Sequence, residues 1–164
     1  MSSEENKEIA LSLLEALNAR DLSLWSQHLA EDYTAEHPGV SVLLNKTRSM
    51  GYNQRFVTAF PDIQFEVLSV LAEGDHVLTH WTGSGTHTER LATVTGETIP
   101  PTRRRMRVSG ALLTEVRDGK VVRRWGYFDQ LSARSWPSWA SANSPDSSCL
   151  LRASRSADPS PLCS

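Results

Sequence analysis

The chain has 164 residues, enough for one domain that buries its own core without disulfides or metal. Its 17 Lys and Arg residues nearly balance 19 Asp and Glu, and a net charge of -2 gives no field that favours nucleic acid or an anionic membrane. The N-terminal stretch is acidic and polar, and the chain has no run of about 18 apolar residues. We therefore expect a cytoplasmic protein without nucleic-acid or membrane partners.

Neither a metal site nor a disulfide framework is indicated by the two cysteines. Cys149 and Cys163 lie in a polar C-terminal stretch, far from any second Cys or His at the spacing of metal ligands. The sequence also lacks a Gly-rich phosphate loop, a Gly-x-Ser-x-Gly nucleophile and a His-Glu-x-x-His helix. Hydrolase and nucleotide-binding functions therefore have no support.

Three helices are predicted in the N-terminal part of the chain. The first begins at a cap provided by Ser2 or Ser3 and runs to about Ala19, because leucines recur there at helical spacing. Asp21 is the predicted N-cap of a second, short helix. A third helix is predicted over residues 46–59, ending before Pro61.

From Ile63 onward the hydrophobic period changes from helical to two, which predicts strands over residues 63–72, 76–83, 105–116 and 121–130. A change of phase near Val67 indicates a β-bulge. Asp118-Gly119 is a strong hairpin signal, since both central residues of such a turn need positive φ.

Helices followed by strands indicate an α+β fold in which N-terminal helices cover a strongly bent antiparallel sheet and enclose a pocket. Residues 1–131 form this predicted domain. In residues 132–164, 11 of 33 residues are serine, and no helical or strand period persists. We expect this tail to be disordered.

Several short segments occur in an order and spacing typical of one family: Phe60-Pro61-Asp62, Glu73-Gly74-Asp75, Gly85-Thr86-His87, Ile99-Pro100-Pro101-Thr102, Asp118-Gly119-Lys120, and Trp125 followed by Asp129. Over residues 4–131 the chain resembles the SnoaL-like polyketide cyclases (ester cyclases) of the NTF2-like superfamily. This resemblance implies a cone-shaped open barrel and a homodimer. It also implies cyclase chemistry that requires no cofactor and no metal.

Asp129 is the predicted catalytic acid/base. Strand alternation places it on one face with Val121, Arg123, Trp125 and Tyr127, so that aromatic rings desolvate the carboxylate and raise its pKa. The resemblance places the acid/base aspartate of the cyclases at this position. The alternative is that Asp129 caps the strand or pairs with an arginine.

His37 is the second predicted catalytic residue, because this fold places the turn after the second helix at the pocket mouth. An exposed turn histidine is the alternative. Four aromatic residues are predicted to bind the substrate: Tyr33, Trp81, Trp125 and Tyr127. Of the neighbours His80 and Trp81, Trp81 is expected inside the sheet and His80 outside.

Two functions of different class remain open from the sequence. The first is a cyclase or isomerase that closes a ring in a polyketide-like ester by acid/base-catalysed intramolecular aldol addition. The second is a non-catalytic small-molecule-binding or dimerisation module that uses the same aromatic pocket. Both predict an apolar small molecule as the ligand.

Overall fold

The computed structural model of the chain describes residues 2–37, 40–92 and 98–128. The described part has three helices and eight strands, which are α1 (Ser3–Asn18), α2 (Leu22–Gln27), β1 (Leu29–Glu36), β2 (Leu44–Asn45), α3 (Lys46–Ala59), β3 (Gln64–Glu73), β4 (His76–Thr86), β5 (Leu91–Ala92), β6 (Thr98–Ile99), β7 (Arg105–Arg117) and β8 (Lys120–Phe128). The predicted tail and Asp129 lie outside the described residues. None of the described helices is both long and apolar enough to span a membrane.

Six strands form one open sheet in the order β2-β1-β8-β7-β4-β3. All neighbouring strands are antiparallel except β1 and β8, which run parallel. The helices pack on one face of this sheet, and leucines of α1 join Trp25 and Tyr33 in the main hydrophobic core. The α+β architecture predicted from the sequence is therefore confirmed.

Local signals in the sequence account for most of the element boundaries. Ser2 caps α1 in a capping box with Glu5, and Asp21 caps α2 by accepting from Leu24 N. The register of β3 against β4 shifts just after Val67, which confirms the predicted bulge.

The Asp118-Gly119 turn joins β7 to β8 as predicted. Asp118 has φ 50° and Gly119 has φ 75°, the left-handed region that this kind of hairpin turn requires.

Strand β1 was not predicted, and its burial pattern explains why. Leu29 and Tyr33 are both buried and four residues apart, a spacing that is typical of one helix face, while Glu31 and Asp32 between them are exposed. The irregularity coincides with a register shift between Leu29 and Thr34 against β8. The strict order of helices before strands was therefore wrong at β1.

A second irregularity corrects one predicted face of β8. The register against β7 shifts between Glu115 and Val116, so Val121 points into the core while Arg123 is exposed on the outer face. Val121 therefore does not share a face with Arg123, Trp125 and Tyr127. Past the shift, Arg124, Gly126 and Phe128 alternate onto the inner, helix-covered face.

Candidate active site

A cavity of about 510 Å³ lies where β1 and β8 end side by side. Its walls are residues 36–37 at the end of β1, the segment 40–43, and residues 125–127 of β8. Parallel pairing of β1 and β8 places Glu36 opposite Trp125, so the C-terminal ends of the two strands lie next to each other. The volume is in the range of small-molecule sites.

His37 is a titratable residue in the cavity wall, and it is also one of the residues that the sequence predicts to be catalytic. Its imidazole lies flat on Tyr52, with ring centroids 4.7 Å apart and an angle of 2° between the rings. On its other side is Gly126, where an ideal Cβ would come within 2.4 Å of His37 Nδ1. Only glycine at position 126 leaves room for the imidazole in this position.

Burial, and secondly the positive charge of Arg124, lower the pKa of His37 from 6.5 to about 4. The imidazole is consequently neutral at neutral pH. A neutral imidazole has one nitrogen that accepts a hydrogen bond or a proton and one that donates. His37 can therefore act as a base or as a hydrogen-bond donor toward a ligand in the cavity.

Tyr52 holds the His37 ring from α3 and is itself fixed by its neighbours. The Arg55 guanidinium lies 4.8 Å from the Tyr52 ring centroid and donates to Ala92 O, and Phe56 packs against the other edge. Burial raises the pKa of the Tyr52 phenol to about 12, against a smaller opposite effect of Arg55. Tyr52 is thus a neutral, fixed platform for the imidazole.

Behind the cavity wall, Arg124 is 4% exposed on the inner face of β8. Its guanidinium lies 5.9 Å from the Trp25 ring centroid, and Tyr33 and Ser49 are buried near it. Burial raises the pKa of Tyr33, and Arg124 and Ser49 oppose that effect. Of these residues, Arg124 and Ser49 were not identified from the sequence, although an arginine in the inward phase next to an outward Trp125 is a usable signal.

The predicted substrate-binding aromatics fall into two groups. Trp125 and Tyr127 line the cavity together with His37. Tyr33 and Trp81 are 1% and 7% exposed in the main core and are not part of this cavity wall. Asp129, the predicted acid/base, lies outside the described residues.

Two further histidines, His80 and His87, lie elsewhere in the structure. His80 is exposed on the outer face of β4 while Trp81 points inward, as predicted. His87 is buried, stacks on Phe60 at 5.0 Å and accepts from Thr102 N, so it organises the loop before β7. Within residues 2–37, 40–92 and 98–128, no group of three or more His, Cys, Asp or Glu side chains could hold a metal ion.

A comparison with known protein families finds a match to this chain. The family model of the SnoaL-like polyketide cyclases matches residues 7–135. The chain belongs to this family. The SnoaL-like domain thus includes every described helix and strand apart from the first residues of α1.

Solved structures of the same fold include AclR of Streptomyces galilaeus, named as a candidate hydroxylase, with 28% identity and a TM-score of 0.69 over 83% of this chain and all of that one. IdmH of Streptomyces antibioticus, a candidate polyketide cyclase, has 25% identity and a TM-score of 0.68 over 79% and 96%. A SnoaL-like protein of Jannaschia sp. CCS1 has 18% identity and a TM-score of 0.71 over 81% and 91%. A comparison with curated proteins finds no match.

Proposed function

We propose that this SnoaL-like protein catalyses an intramolecular aldol closure of a polyketide-like ester without a cofactor. The observation that carries this proposal is the neutral imidazole of His37, held between Tyr52 and Gly126 in the wall of a cavity of about 510 Å³. Such a ring is held by its neighbours, and at neutral pH one of its two nitrogens is able to accept a proton.

In the proposed reaction a base removes the acidic proton of a carbon that lies between two carbonyl groups. The resulting enolate carbon attacks a second carbonyl carbon of the same molecule, a C–C bond forms, and the alkoxide takes up a proton. No atoms are gained or lost, so the product is an isomer of the substrate. Asp129 is the proposed acid/base, and His37 assists by accepting or donating at the substrate oxygen.

The cavity also suits an apolar, polyoxygenated ligand. Val40, Val42, Leu43 and Trp125 supply apolar surface, while Ser41 and His37 supply polar groups. A wall of this kind supports binding of a ring system that carries several oxygens. It equally suits the non-catalytic binding module, which is therefore the competing outcome of the test below.

The test is turnover of a panel of aromatic polyketide esters with β-dicarbonyl groups by the wild type, His37→Gln and Asp129→Asn. We expect each variant to lose about a hundredfold or more in kcat while still binding the substrate. His80→Gln, which changes an exposed histidine on the outer face, is the matched control and should keep full activity.

Mass spectrometry of the products separates the candidate reactions. An isomeric product supports ring closure, whereas a product heavier by one oxygen atom points to the hydroxylase designation that AclR carries. Binding without turnover by the wild type across the panel favours the non-catalytic module and contradicts the proposal.

We also propose that the protein is a homodimer that pairs through the outer face of its sheet. An apolar row crosses four strands there, because Leu71 pairs with Leu78, Leu78 with Leu113, and Leu113 with Trp125. Leu71 is 65% exposed. Exposure of such an apolar row to water is unfavourable. A second copy of the chain, related by a two-fold axis, can cover it.

The neighbouring row on the same face ends in Glu73 on β3 and Arg123 on β8, both exposed. A two-fold axis along the strands brings these opposite charges together, which supports self-association. Sedimentation should give a dimer for the wild type and a monomer for Leu78→Arg. Leu24→Arg alters a similarly exposed leucine on α2 and should stay dimeric; a monomeric wild type contradicts the proposal.

A further inference from the structure

The cavity at His37 reaches the outer face of the sheet, away from the helices. Trp125 and Tyr127 project from the outer face of β8, and both line the cavity. The rim of the cavity is apolar and exposed, because Val42, Leu43 and Tyr127 are 47% to 56% exposed. Sites for small molecules usually bury most of the ligand surface. The described residues of one copy therefore leave one side of this cavity uncovered.

The uncovered side of the cavity continues into the apolar row of the outer face. Trp125 is the last member of that row, which runs through Leu113 and Leu78 to Leu71 on β3. Leu71 and Leu78 are exposed, as is Tyr127 beside Trp125. The row and the cavity rim thus form one continuous apolar surface. A partner that covers the whole row also reaches the rim of the cavity.

Charge complementarity selects how a second copy lies on this face. A two-fold axis along the strands keeps each row in place and reverses the order of the strands, so that Leu71 of one copy lies over Trp125 of the other. The same axis places Glu73 over Arg123 at both ends of the interface. An axis across the strands would place Glu73 over Ser69 instead, and neither charge would meet its opposite. The axis along the strands is therefore favoured.

We propose that the ligand cavity is shared between two copies of the chain, and that Leu71 of the partner subunit closes it at Trp125. This inference rests on the proposed homodimer and not on the cyclase reaction. Neighbouring strands lie about 4.8 Å apart, so Leu71 is about 14 Å from Trp125 within one copy, too far for contact. Packed sheets lie about 10 Å apart, a gap that facing side chains fill. An effect of Leu71 on the cavity therefore comes from the partner subunit.

The first test is calorimetric titration of the full chain with naphthoylacetone, an aromatic β-diketone. Leu71→Ala should bind this probe about tenfold more weakly than the wild type, because the variant loses apolar contact although every residue that lines the cavity is unchanged. Leu24→Ala truncates an exposed leucine on α2 and should keep the affinity of the wild type. Unchanged affinity in Leu71→Ala, or a dimeric wild type that binds no probe, overturns the shared cavity.

A second test uses the wild type alone, so that no variant has to fold. If the cavity is complete only in the dimer, the affinity for naphthoylacetone should fall about tenfold as the protein is diluted from dimer to monomer. By linkage, saturating naphthoylacetone should tighten the dimer by the same factor for each cavity. Fluorescence titration at several protein concentrations, and sedimentation with and without the probe, measure the two effects. Equal probe affinity of monomer and dimer overturns the shared cavity.

Cross-linking tests the orientation of the two copies in a background in which Cys149 and Cys163 are replaced by serine. With a short bismaleimide, Ser69→Cys protein should cross-link to Tyr127→Cys protein, because the axis along the strands places these two positions face to face. Leu71→Cys should not cross-link to itself; if it does, the axis runs across the strands and the shared cavity is overturned.

The outcomes separate this inference from the proposals on which it could depend. A wild type that sediments as a monomer at every concentration contradicts the homodimer and the shared cavity together. A dimer whose probe binding ignores both Leu71→Ala and dilution leaves the homodimer standing and overturns the shared cavity alone. Probe binding that follows the dimer, without turnover of any ester, supports the shared cavity while the proposed cyclase reaction fails.

Discussion

Acid sensitivity of the fold tests the surroundings of His37. Its pKa lies near 4 in the folded protein, against 6.5 in the unfolded chain, because of burial and the nearby Arg124 charge. Between these values the unfolded chain binds a proton that the folded protein does not, so stability is full above about pH 6.5 and falls as the pH drops. The whole difference corresponds to about 3 kcal/mol, of which about 2 kcal/mol should be lost between about pH 7.5 and about pH 5. Below about pH 4 both states are protonated and the loss ends.

Urea unfolding of the wild type and His37→Gln at both pH values measures this effect. We expect the glutamine variant to lose about 2 kcal/mol less on acidification, since carboxylates and the buried His87, whose pKa is also lowered by burial, contribute equally to both proteins. His80→Gln, at an exposed site, should behave as the wild type. If His37→Gln and the wild type lose the same stability, the imidazole is not held in a buried, positively charged environment and the reasoning fails.

Three substitutions test individual contacts. Gly126→Ala should destabilise the protein by about 1–3 kcal/mol and displace His37 from the cavity wall, because the added Cβ meets its imidazole; urea unfolding and the NMR shifts of the ring measure both effects. Asn18→Ala should cost about 2 kcal/mol, since the amide makes two hydrogen bonds with the Phe65 backbone, at 2.9 and 2.7 Å, and an unchanged urea midpoint contradicts this. Glu115→Gln should change stability by less than about 1 kcal/mol, because its ion pair is made with a largely exposed arginine.

Much of the fold could be predicted because local chemistry determines it. Pro61 and the helical spacing before it bound α3, positive φ at residues 118–119 needs Asp-Gly, and the phase change near Val67 marks the bulge. Strand β1 could not be predicted in this way. Its pairing with β8 is long-range, and the register shift against β8 removes the period of two that identifies a strand.

The site shows the same division between local and long-range information. His37 could be singled out because the family resemblance places its turn at the pocket mouth, and Trp125 and Tyr127 could be singled out from strand alternation. The partners that define the state of His37 could not, because Tyr52 and Arg124 come from distant segments that meet only in the folded sheet. Tyr33 and Trp81 lie in the main hydrophobic core and not in this cavity wall, so their predicted role in binding a ligand stays a prediction.

The parallel pairing of β1 with β8 has a consequence for how the protein is made. Thr34 and Arg123 are 89 residues apart in the sequence, yet their side chains meet across this pair. Because β8 lies between β1 and β7, the β1-β2 ribbon has no place in the sheet until β8 has been synthesised. A nascent chain that stops before β8 therefore carries His37 without a cavity. We expect the sheet to be completed late and slowly. Partially synthesised chains should therefore depend on chaperones more than partially synthesised chains of an antiparallel meander of the same length.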